Sequence, residues 1–320
     1  MKSNSKQKKL TNFKSALSGN DWAKNIPYDR FFDFIAPNAD RYNILLECIN
    51  SLNLNSAVIP VAGNRHIFVF PSGQKPIRSG VFPFKNLSPY LFSAHYDRVE
   101  GSQGANDNSI AVFHLLSSAL YFVQHNIDNW MIVFTDKEEL EAGESLEAQG
   151  SFSLAEKLKL WGLGKAKVFN FDACGCGNVF VFSTTTDHIL KSSELPNIKK
   201  VRNAIINLRD HALASALSLR LEKVLLAPTP FSDDAGFLRA GMAALTITTL
   251  PVKEAALYEA LLRSRPDFTD SLISGKIKRP IEYRNLPETW RNLNNAKDIP
   301  SNLTPQYFDL VKQFVIELCK

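Results

Sequence analysis

Short apolar runs alternate with helical patterns along most of the chain, which favours a mostly parallel β-sheet covered by helices on both faces. The pattern predicts strands over residues 57–61, 67–70, 90–94, 130–135, 168–171 and 243–248. Residues 109–124 carry apolar side chains densely enough for a helix that faces the core. Near the C-terminus, Thr304 is predicted to cap a last helix that has Pro305 in its first turn. The fold class that follows is a three-layer α/β sandwich.

The length and composition of the chain indicate one large domain. Its 320 residues are 45% apolar, which is enough to fill a full-sized core. The net charge of +5 arises entirely from the first twenty residues, which contain five lysines and no acidic residue. We therefore predict a basic, mobile N-terminal tail over residues 1–20 and a single, electrically balanced α/β domain over residues 21–320.

Several classes of protein are disfavoured by what the sequence lacks. No stretch of about eighteen uninterrupted apolar residues is present, and the basic tail has no apolar core of the secretory type. We accordingly predict a cytoplasmic protein without a membrane partner. Five lysines without interleaved aromatic residues are weak evidence for nucleic-acid binding, so none is predicted.

Side chains of the kind that bind divalent metals follow three of the predicted strands. His95 follows the strand over 90–94, Glu138 and Glu139 follow the strand over 130–135, and Asp172 follows the strand over 168–171. Asp107 stands just ahead of the helix over 109–124. Because the carboxyl ends of parallel strands gather at one edge of an open sheet, these side chains can converge on one crevice.

The chemistry of a paired-zinc site explains these residue types. Two zinc ions a few ångströms apart need an anionic ligand between them, and a carboxylate such as Asp107 can bridge them where a neutral imidazole cannot. His95 and Asp172 suit one ion, and Glu139 suits the other. Taken singly, each residue also has an ordinary interpretation as a loop, capping or helix-start residue. The order of the motifs along the chain favours a metal site over these separate interpretations.

Two further residues have roles beside the ligands. Asp97 could accept a hydrogen bond from the far ring nitrogen of His95 and so fix the tautomer and orientation of the imidazole. Glu138 is left without a metal to bind. A carboxylate beside water on a metal is suited to act as a general base, taking a proton as the carbonyl is attacked and later giving it to the leaving amine.

In combination, these motifs resemble metallopeptidase family 28, which contains zinc exopeptidases such as bacterial leucyl aminopeptidase and is related to the glutaminyl cyclases. The resemblance runs from about residue 40 to the C-terminus and includes a segment at 233–241 similar to the family's Asp-His-x-x-Phe-x-x-x-Gly. It implies the zinc-exopeptidase form of the α/β sandwich. It also implies zinc ligation by His95, Asp107, Glu139 and Asp172, with Glu138 as the general base.

Two positions depart from the family pattern. Asp234 stands where a histidine is usual, and its role is open between helix capping and the site. The run Trp290-Arg291-Asn292 stands where the family has a pattern close to Trp-His-Thr. In the family, the histidine of that pattern binds the same metal ion as the glutamate of the Glu-Glu doublet. A guanidinium stays protonated and offers no lone pair, so Arg291 cannot replace that ligand. One zinc ion is therefore favoured over two, and Trp290 is expected in the pocket wall.

Arg291 leaves several hypotheses open. It could fill the vacated metal position and pair with Glu139, which leaves one ion on His95, Asp107 and Asp172. Alternatively, the metal site has decayed, because loss of a ligand commonly costs much of the metal affinity.

Three functions follow in order of preference. The first is a metal-dependent exopeptidase of the aminopeptidase type, acting on peptides or small aminoacyl substrates. The second is a non-catalytic relative that binds a peptide or small ligand, with Arg291 contacting an anion. The third is an acyltransferase of the glutaminyl cyclase type.

Overall fold

The computed structural model describes residues 28–71, 88–191, 197–273 and 283–320. The predicted basic tail over residues 1–20 lies outside these ranges, as does the predicted domain boundary at residue 21. Both therefore stay predictions.

A single mixed sheet forms the centre of the described structure. Its eight described strands lie in the order β1-β2-β4-β3-β5-β8-β6-β7. The central strands β4, β3, β5 and β8 are parallel, whereas β1, β2 and β6 run antiparallel to a neighbour. The strands are β1 Asn55–Val61, β2 Asn64–Phe70, β3 Tyr90–His95, β4 Trp130–Thr135, β5 Lys167–Phe171, β6 Val179–Ser183, β7 Val224–Ala227 and β8 Ala244–Leu250.

Helices cover both faces of this sheet. They are α1 Tyr28–Phe34, α2 Arg41–Ser51, α3 Ile110–Gln124, α4 Gly150–Leu160, α5 Thr185–Lys191, α6 Ile198–Ser218, α7 Asp233–Arg239, α8 Val252–Ser264, α9 Asp267–Ile273, α10 Glu288–Arg291 and α11 Phe308–Leu318. In the described parts of the chain, no helix has the length and apolarity needed to cross a membrane.

Strand β4 shows how the layers are held together. Its residues Ile132 and Phe134 belong to one apolar core, with side chains of α3 and α11, and Met131 and Val133 belong to a second core with α4 and α7. Successive side chains of a strand point to opposite faces, so a continuous apolar run such as this one is buried on both. The predicted three-layer α/β sandwich with a mostly parallel sheet is confirmed.

The sequence pattern located the six predicted strands to within a few residues, but it missed β6 and β7. β6 has five residues and β7 only four. An apolar run this short has too few positions to show a period, and it cannot be told from part of a buried helix.

The predicted capping role of Thr304 is wrong. A 3₁₀ turn over Pro305–Tyr307 precedes α11, and the Thr304 side chain makes no capping hydrogen bond. Its Oγ1 instead accepts from the backbone N–H of Gly177 at 2.6 Å and donates to the carbonyl of Gly175 at 3.2 Å. The hydroxyl therefore ties the last helix to the loop after β5, a tertiary contact that the local sequence does not reveal.

Candidate metal centre

The parallel pairing of β4, β3 and β5 places the predicted ligands at one edge of the sheet. His95 is the last residue of β3, Asp172 directly follows β5, and the Glu138-Glu139 doublet lies just beyond β4. The structure brings together His95, Asp107 and Asp172 as one group and His95, Glu138 and Glu139 as another. In each group the potential ligand atoms all lie within 4.8 Å of one another.

The first of these groups is suited to a zinc ion. The Nε2 atom of His95 lies 3.1 Å from Oδ1 of Asp107 and 3.8 Å from Oδ1 of Asp172. His95 Nε2 and Asp172 Oδ1 are buried without a hydrogen-bond partner among the described residues. Buried polar atoms normally have partners, and one imidazole with two carboxylates is an ordinary ligand set for catalytic zinc with an open position. The residues present therefore fit the metal.

The crowding of buried carboxylates also calls for a cation. Burial raises the pKa of Glu139 to about 8, and the nearby Asp107 carboxylate adds to this rise. Burial also raises the pKa of Glu138 well above its usual value. Burial alone would lower the pKa of His95, but the carboxylates of Asp107 and Asp172 beside its Nε2 atom raise it well above its usual value. Each shift shows negative charge without enough compensation, which a divalent cation would supply.

Asp97 lies where an orienting residue is expected. Its Oδ1 is 3.4 Å from Nδ1 of His95, on the side of the ring opposite the other carboxylates. Its Oδ2 accepts a hydrogen bond from the backbone N–H of Glu139 at 3.0 Å. Asp97 therefore connects the end of β3 to the loop after β4, and its predicted role in fixing the imidazole agrees with this position.

Glu138 is held by a neighbour that the sequence pattern did not single out. The Nε2 atom of Gln149 donates to Oε1 of Glu138 at 3.0 Å, and Oε1 of Gln149 accepts from the Ser151 hydroxyl at 3.1 Å. Gln149 and Ser151 are both buried. This chain of hydrogen bonds fixes one carboxylate oxygen of Glu138 and leaves the other available for proton transfer.

Asp298 is a second residue that sequence reasoning missed. Its two carboxylate oxygens accept hydrogen bonds from the backbone N–H groups of Asn106 and Asp107, at 2.7 Å and 2.9 Å. The peptide bond from Asp107 to Asn108 is cis. Asp298 thereby fixes the backbone that presents the Asp107 carboxylate. Asp298 stands almost two hundred residues further along the chain in a polar stretch. No sequence pattern around either residue could therefore have indicated this contact.

Arg41, the first residue of α2, is a third such residue. Its Nη1 donates to the backbone carbonyl of Asp97 at 2.8 Å, and its Nη2 donates to the Ser109 hydroxyl. The guanidinium carbon lies 4.2 Å from the centre of the Phe34 ring, and the residue is buried. Burial lowers the pKa of Arg41 to about 9. Arg41 joins the segment that carries Asp97 to the turn that follows Asp107.

Asp233 and Asp234 are the first two residues of α7, after Ser232, whose side chain makes no capping hydrogen bond. Asp233 accepts a hydrogen bond from the hydroxyl of Thr135, the last residue of β4. Asp234 is hydrogen-bonded to Thr246 of β8, which itself lines the cavity at the metal site. Burial raises the pKa of Asp233 to about 6 and that of Asp234 to about 7. Both carboxyl groups therefore hold strand ends at the edge where the site lies.

A cavity of about 340 Å³ opens onto the metal site. Asp107, Glu138 and Asp172 line one part of it. The opposite part is largely apolar and includes Phe231, Leu286, Trp290 and Leu293. Trp290 is almost fully buried and makes an edge contact with Tyr258 at 5.0 Å between ring centres. The expected place of Trp290 in the pocket wall agrees with this structure.

The pairing of Arg291 with Glu139 that one hypothesis predicts is not observed in the described structure. Among the described residues, no ion pair joins these two side chains, and Arg291 is not part of the cavity lining. Its Nε is buried without a hydrogen-bond partner in the described structure. Neighbouring residues of a helix do not share a face. Trp290 lines the cavity from α10, and Arg291 is not among the described lining residues.

Fold and site together define an α/β protein with a candidate metal site of one histidine and several carboxylates at the carboxyl edge of its sheet. The model of peptidase family M28 matches residues 81–315, and the chain belongs to this family. The resemblance found in the motifs is thereby confirmed.

Individual relatives are distant. A vacuolar membrane protease of Schizosaccharomyces japonicus is 28% identical over 110 residues, which cover 34% of this chain and 12% of that protein. The chain therefore matches only a small part of that curated relative.

Two solved structures resemble the whole fold. A Zn-dependent exopeptidase from Parabacteroides distasonis is 14% identical, with a TM-score of 0.59 over 94% of this chain and 98% of that one. A glutaminyl cyclase from Porphyromonas gingivalis is 16% identical, with a TM-score of 0.57 over 91% and 94% of the two chains. At such identities the likeness establishes the fold alone.

Proposed function

We propose that the protein is a zinc-dependent exopeptidase of the aminopeptidase type, in which Glu138 acts as the general base. The observation that carries this proposal is the set of buried, unpartnered ligand atoms on His95, Asp172 and Glu139, which belong to the two groups of candidate ligands. Such a set is costly to maintain in a folded protein unless a cation compensates it. The family supports a hydrolase of the metallopeptidase type, and the fold is one that a Zn-dependent exopeptidase also has.

His95, Asp107 and Asp172 would hold one zinc ion. Both groups of candidate ligands among the described residues depend on the same imidazole, that of His95, and Arg291 cannot supply a second nitrogen. When bound, zinc would polarise the scissile carbonyl and lower the pKa of the attacking water. Glu139 is then a nearby carboxylate rather than the main ligand of a second ion.

Glu138 would move the proton. Its carboxylate lines the cavity beside Asp107 and Asp172, and Gln149 orients it through one oxygen. The free oxygen takes a proton from the attacking water and later gives that proton to the leaving amine, which completes hydrolysis of the amide. Because a cation at the site favours the ionised carboxylate, metal binding would lower the raised pKa of Glu138 and so favour the form that accepts a proton.

The dimensions and lining of the cavity favour a terminal residue as substrate. A volume of about 340 Å³ lies at the small end of ligand pockets and suits one or two residues rather than a long peptide segment. The wall that contains Phe231, Leu286 and Trp290 is apolar. We therefore propose that peptides with an apolar first residue are preferred. A role for Arg291 as an anion contact loses support because it does not line this cavity.

The proposal predicts that the zinc-reconstituted protein hydrolyses leucyl p-nitroanilide and leaves N-acetylleucyl p-nitroanilide intact. Acetylation lengthens the substrate beyond a terminal-residue pocket and removes the free amine that the carboxylates attract. Release of nitroaniline is measured before and after removal of zinc with a chelator. Cyclisation of a glutaminyl peptide without anilide hydrolysis would contradict the peptidase. Failure of the zinc-loaded protein to act on either substrate would contradict catalysis altogether.

A further inference from the structure

A second and larger cavity, of about 770 Å³, lies at the opposite edge of the sheet. It is lined by Lys167, the first residue of β5, and by Ala243, which precedes β8. The ends of α4 and α7 and one side of α6 form its other walls. Since β5 is five residues long, about 15 Å of strand separates this cavity from the metal site. It is thus a separate site.

The lining of this cavity is strongly cationic. The described lining residues include five cations and no Asp or Glu, the cations being Lys159, Lys165, Lys167, Lys200 and Arg239. Two of these charges are already compensated, since Lys159 pairs with Glu156 at 2.6 Å and Arg239 pairs with Glu147.

Three positive charges remain uncompensated. Within the described ranges, neither Lys165 nor Lys200 has an ion-pair partner. Lys167 contacts Tyr90, with its Nζ 3.1 Å from the phenol oxygen and 4.3 Å from the ring centre. A phenol and its ring hold a cation in place but do not neutralise it. The three ammonium groups are therefore available to pair with an anion in the cavity.

Apart from the polar residues Ser88, Asn197 and Asn207, the remainder of the wall is largely apolar and built mostly from small side chains. It includes Ala166, Val201, Ala204, Leu208, Ala240 and Ala243. His211 also lines the cavity, but its ring stacks on Tyr90 and its Nε2 lies 2.8 Å from the carbonyl of Leu318. The imidazole is thereby committed to a structural contact. The volume falls within the usual range for small-molecule sites, which runs from about 300 to 1,000 Å³.

We propose that this cavity binds an organic anion that carries a carboxylate or phosphate group on an apolar body. The ammonium groups of Lys165, Lys167 and Lys200 would pair with the anionic group, and the Ala and Val side chains would cover the apolar body. Neither part of the lining would suffice alone, because exposed lysines bind small anions weakly and the small apolar wall offers no specificity for charge. The site goes beyond the proposed peptidase activity and does not depend on it.

Calorimetric titration of the zinc-loaded protein with three ten-carbon probes tests the proposal. Decanoate and decyl phosphate share the apolar chain and differ in the anionic group, and decyltrimethylammonium carries the opposite charge on the same chain. We expect at least one anion to bind ten-fold or more tightly than the cation. The tighter anion identifies the preferred group. Equal binding of all three probes would overturn the proposal, because an apolar patch alone would then explain it.

Variants place the binding at this cavity. The double change Lys165→Glu and Lys200→Glu alters exposed side chains and should weaken anion binding at least ten-fold without lowering the melting temperature. The matched control, Lys253→Glu with Lys312→Glu, changes the net charge equally outside the lining and should bind as the wild type does. Binding at the metal site would not respond to the first pair, because about 15 Å exceeds the screening length of about 8 Å at physiological salt.

A neutral change tests the volume separately from the charge. Ala204→Trp would fill part of the cavity and should reduce anion binding as strongly as the double lysine change. If either the double lysine variant or Ala204→Trp bound the anion as tightly as the wild type does, the proposal of an anion site in this cavity would be overturned.

Discussion

Replacing Glu138 with glutamine is expected to lower kcat by between about 100-fold and 10,000-fold, the range typical for loss of a general base. The amide has nearly the shape of the carboxylate but cannot take a proton from water. Glu138 lies outside the group formed by His95, Asp107 and Asp172, so the variant should keep its zinc. The measurement is the rate of anilide hydrolysis at equal zinc content.

The Glu138→Gln result needs a control from the same loop. Glu141→Gln removes an exposed carboxylate three residues away and should leave both rate and zinc content unchanged. If Glu138→Gln kept the wild-type rate, Glu138 would have no part in proton transfer. If it lost zinc instead, Glu138 would be a ligand rather than a base.

Arg41→Met is expected to destabilise the protein by about 3 kcal/mol and to weaken zinc binding by about ten-fold to 100-fold. Methionine fills much of the same buried space but leaves the Asp97 carbonyl and the Ser109 hydroxyl without the donors that Arg41 gives them. These two groups belong to the segments on either side of the zinc ligands. Urea unfolding gives the stability, and competition with a chelator gives the zinc affinity.

Two further variants separate position from charge. Arg41→Lys keeps the charge, but its single ammonium group cannot reach both acceptors as the planar guanidinium does. Its stability and zinc affinity should therefore lie between those of the wild type and Arg41→Met. Arg65→Met removes an exposed arginine that lies over the Tyr42 ring, and it should change the stability and the zinc affinity little. If Arg41→Met matched the wild type in zinc affinity, Arg41 would have a structural role only.

Much of the site could be predicted because its ligands follow strands with a clear apolar pattern. His95 and Asp172 each follow a buried run, and the parallel order of the sheet brings their ends together. The strands themselves were located because their apolar runs are long enough to stand out, as in β4. Only the structure shows the order in which the strands pair and which side chains contact one another at the site.

The supporting residues could not be predicted, for a physical reason. Asp298 accepts from backbone N–H groups, and Arg41 donates to a backbone carbonyl, in segments far away in the sequence. Residue type does not reveal such contacts, because these backbone groups do not depend on the side chain. The role of Arg291 stays a prediction, because residue order alone does not say which side of a short helix faces a cavity. The predicted cytoplasmic location stays a prediction.

The zinc content of the purified, zinc-reconstituted protein tests the central claim most directly. After reconstitution and removal of unbound metal, elemental analysis should give one zinc per chain in the wild type. Asp172→Asn should lose it, whereas Asp187→Asn, which changes a carboxylate paired with Arg209 away from the site, should keep it. Two zinc ions per wild-type chain, none at all, or full retention by Asp172→Asn would contradict the account.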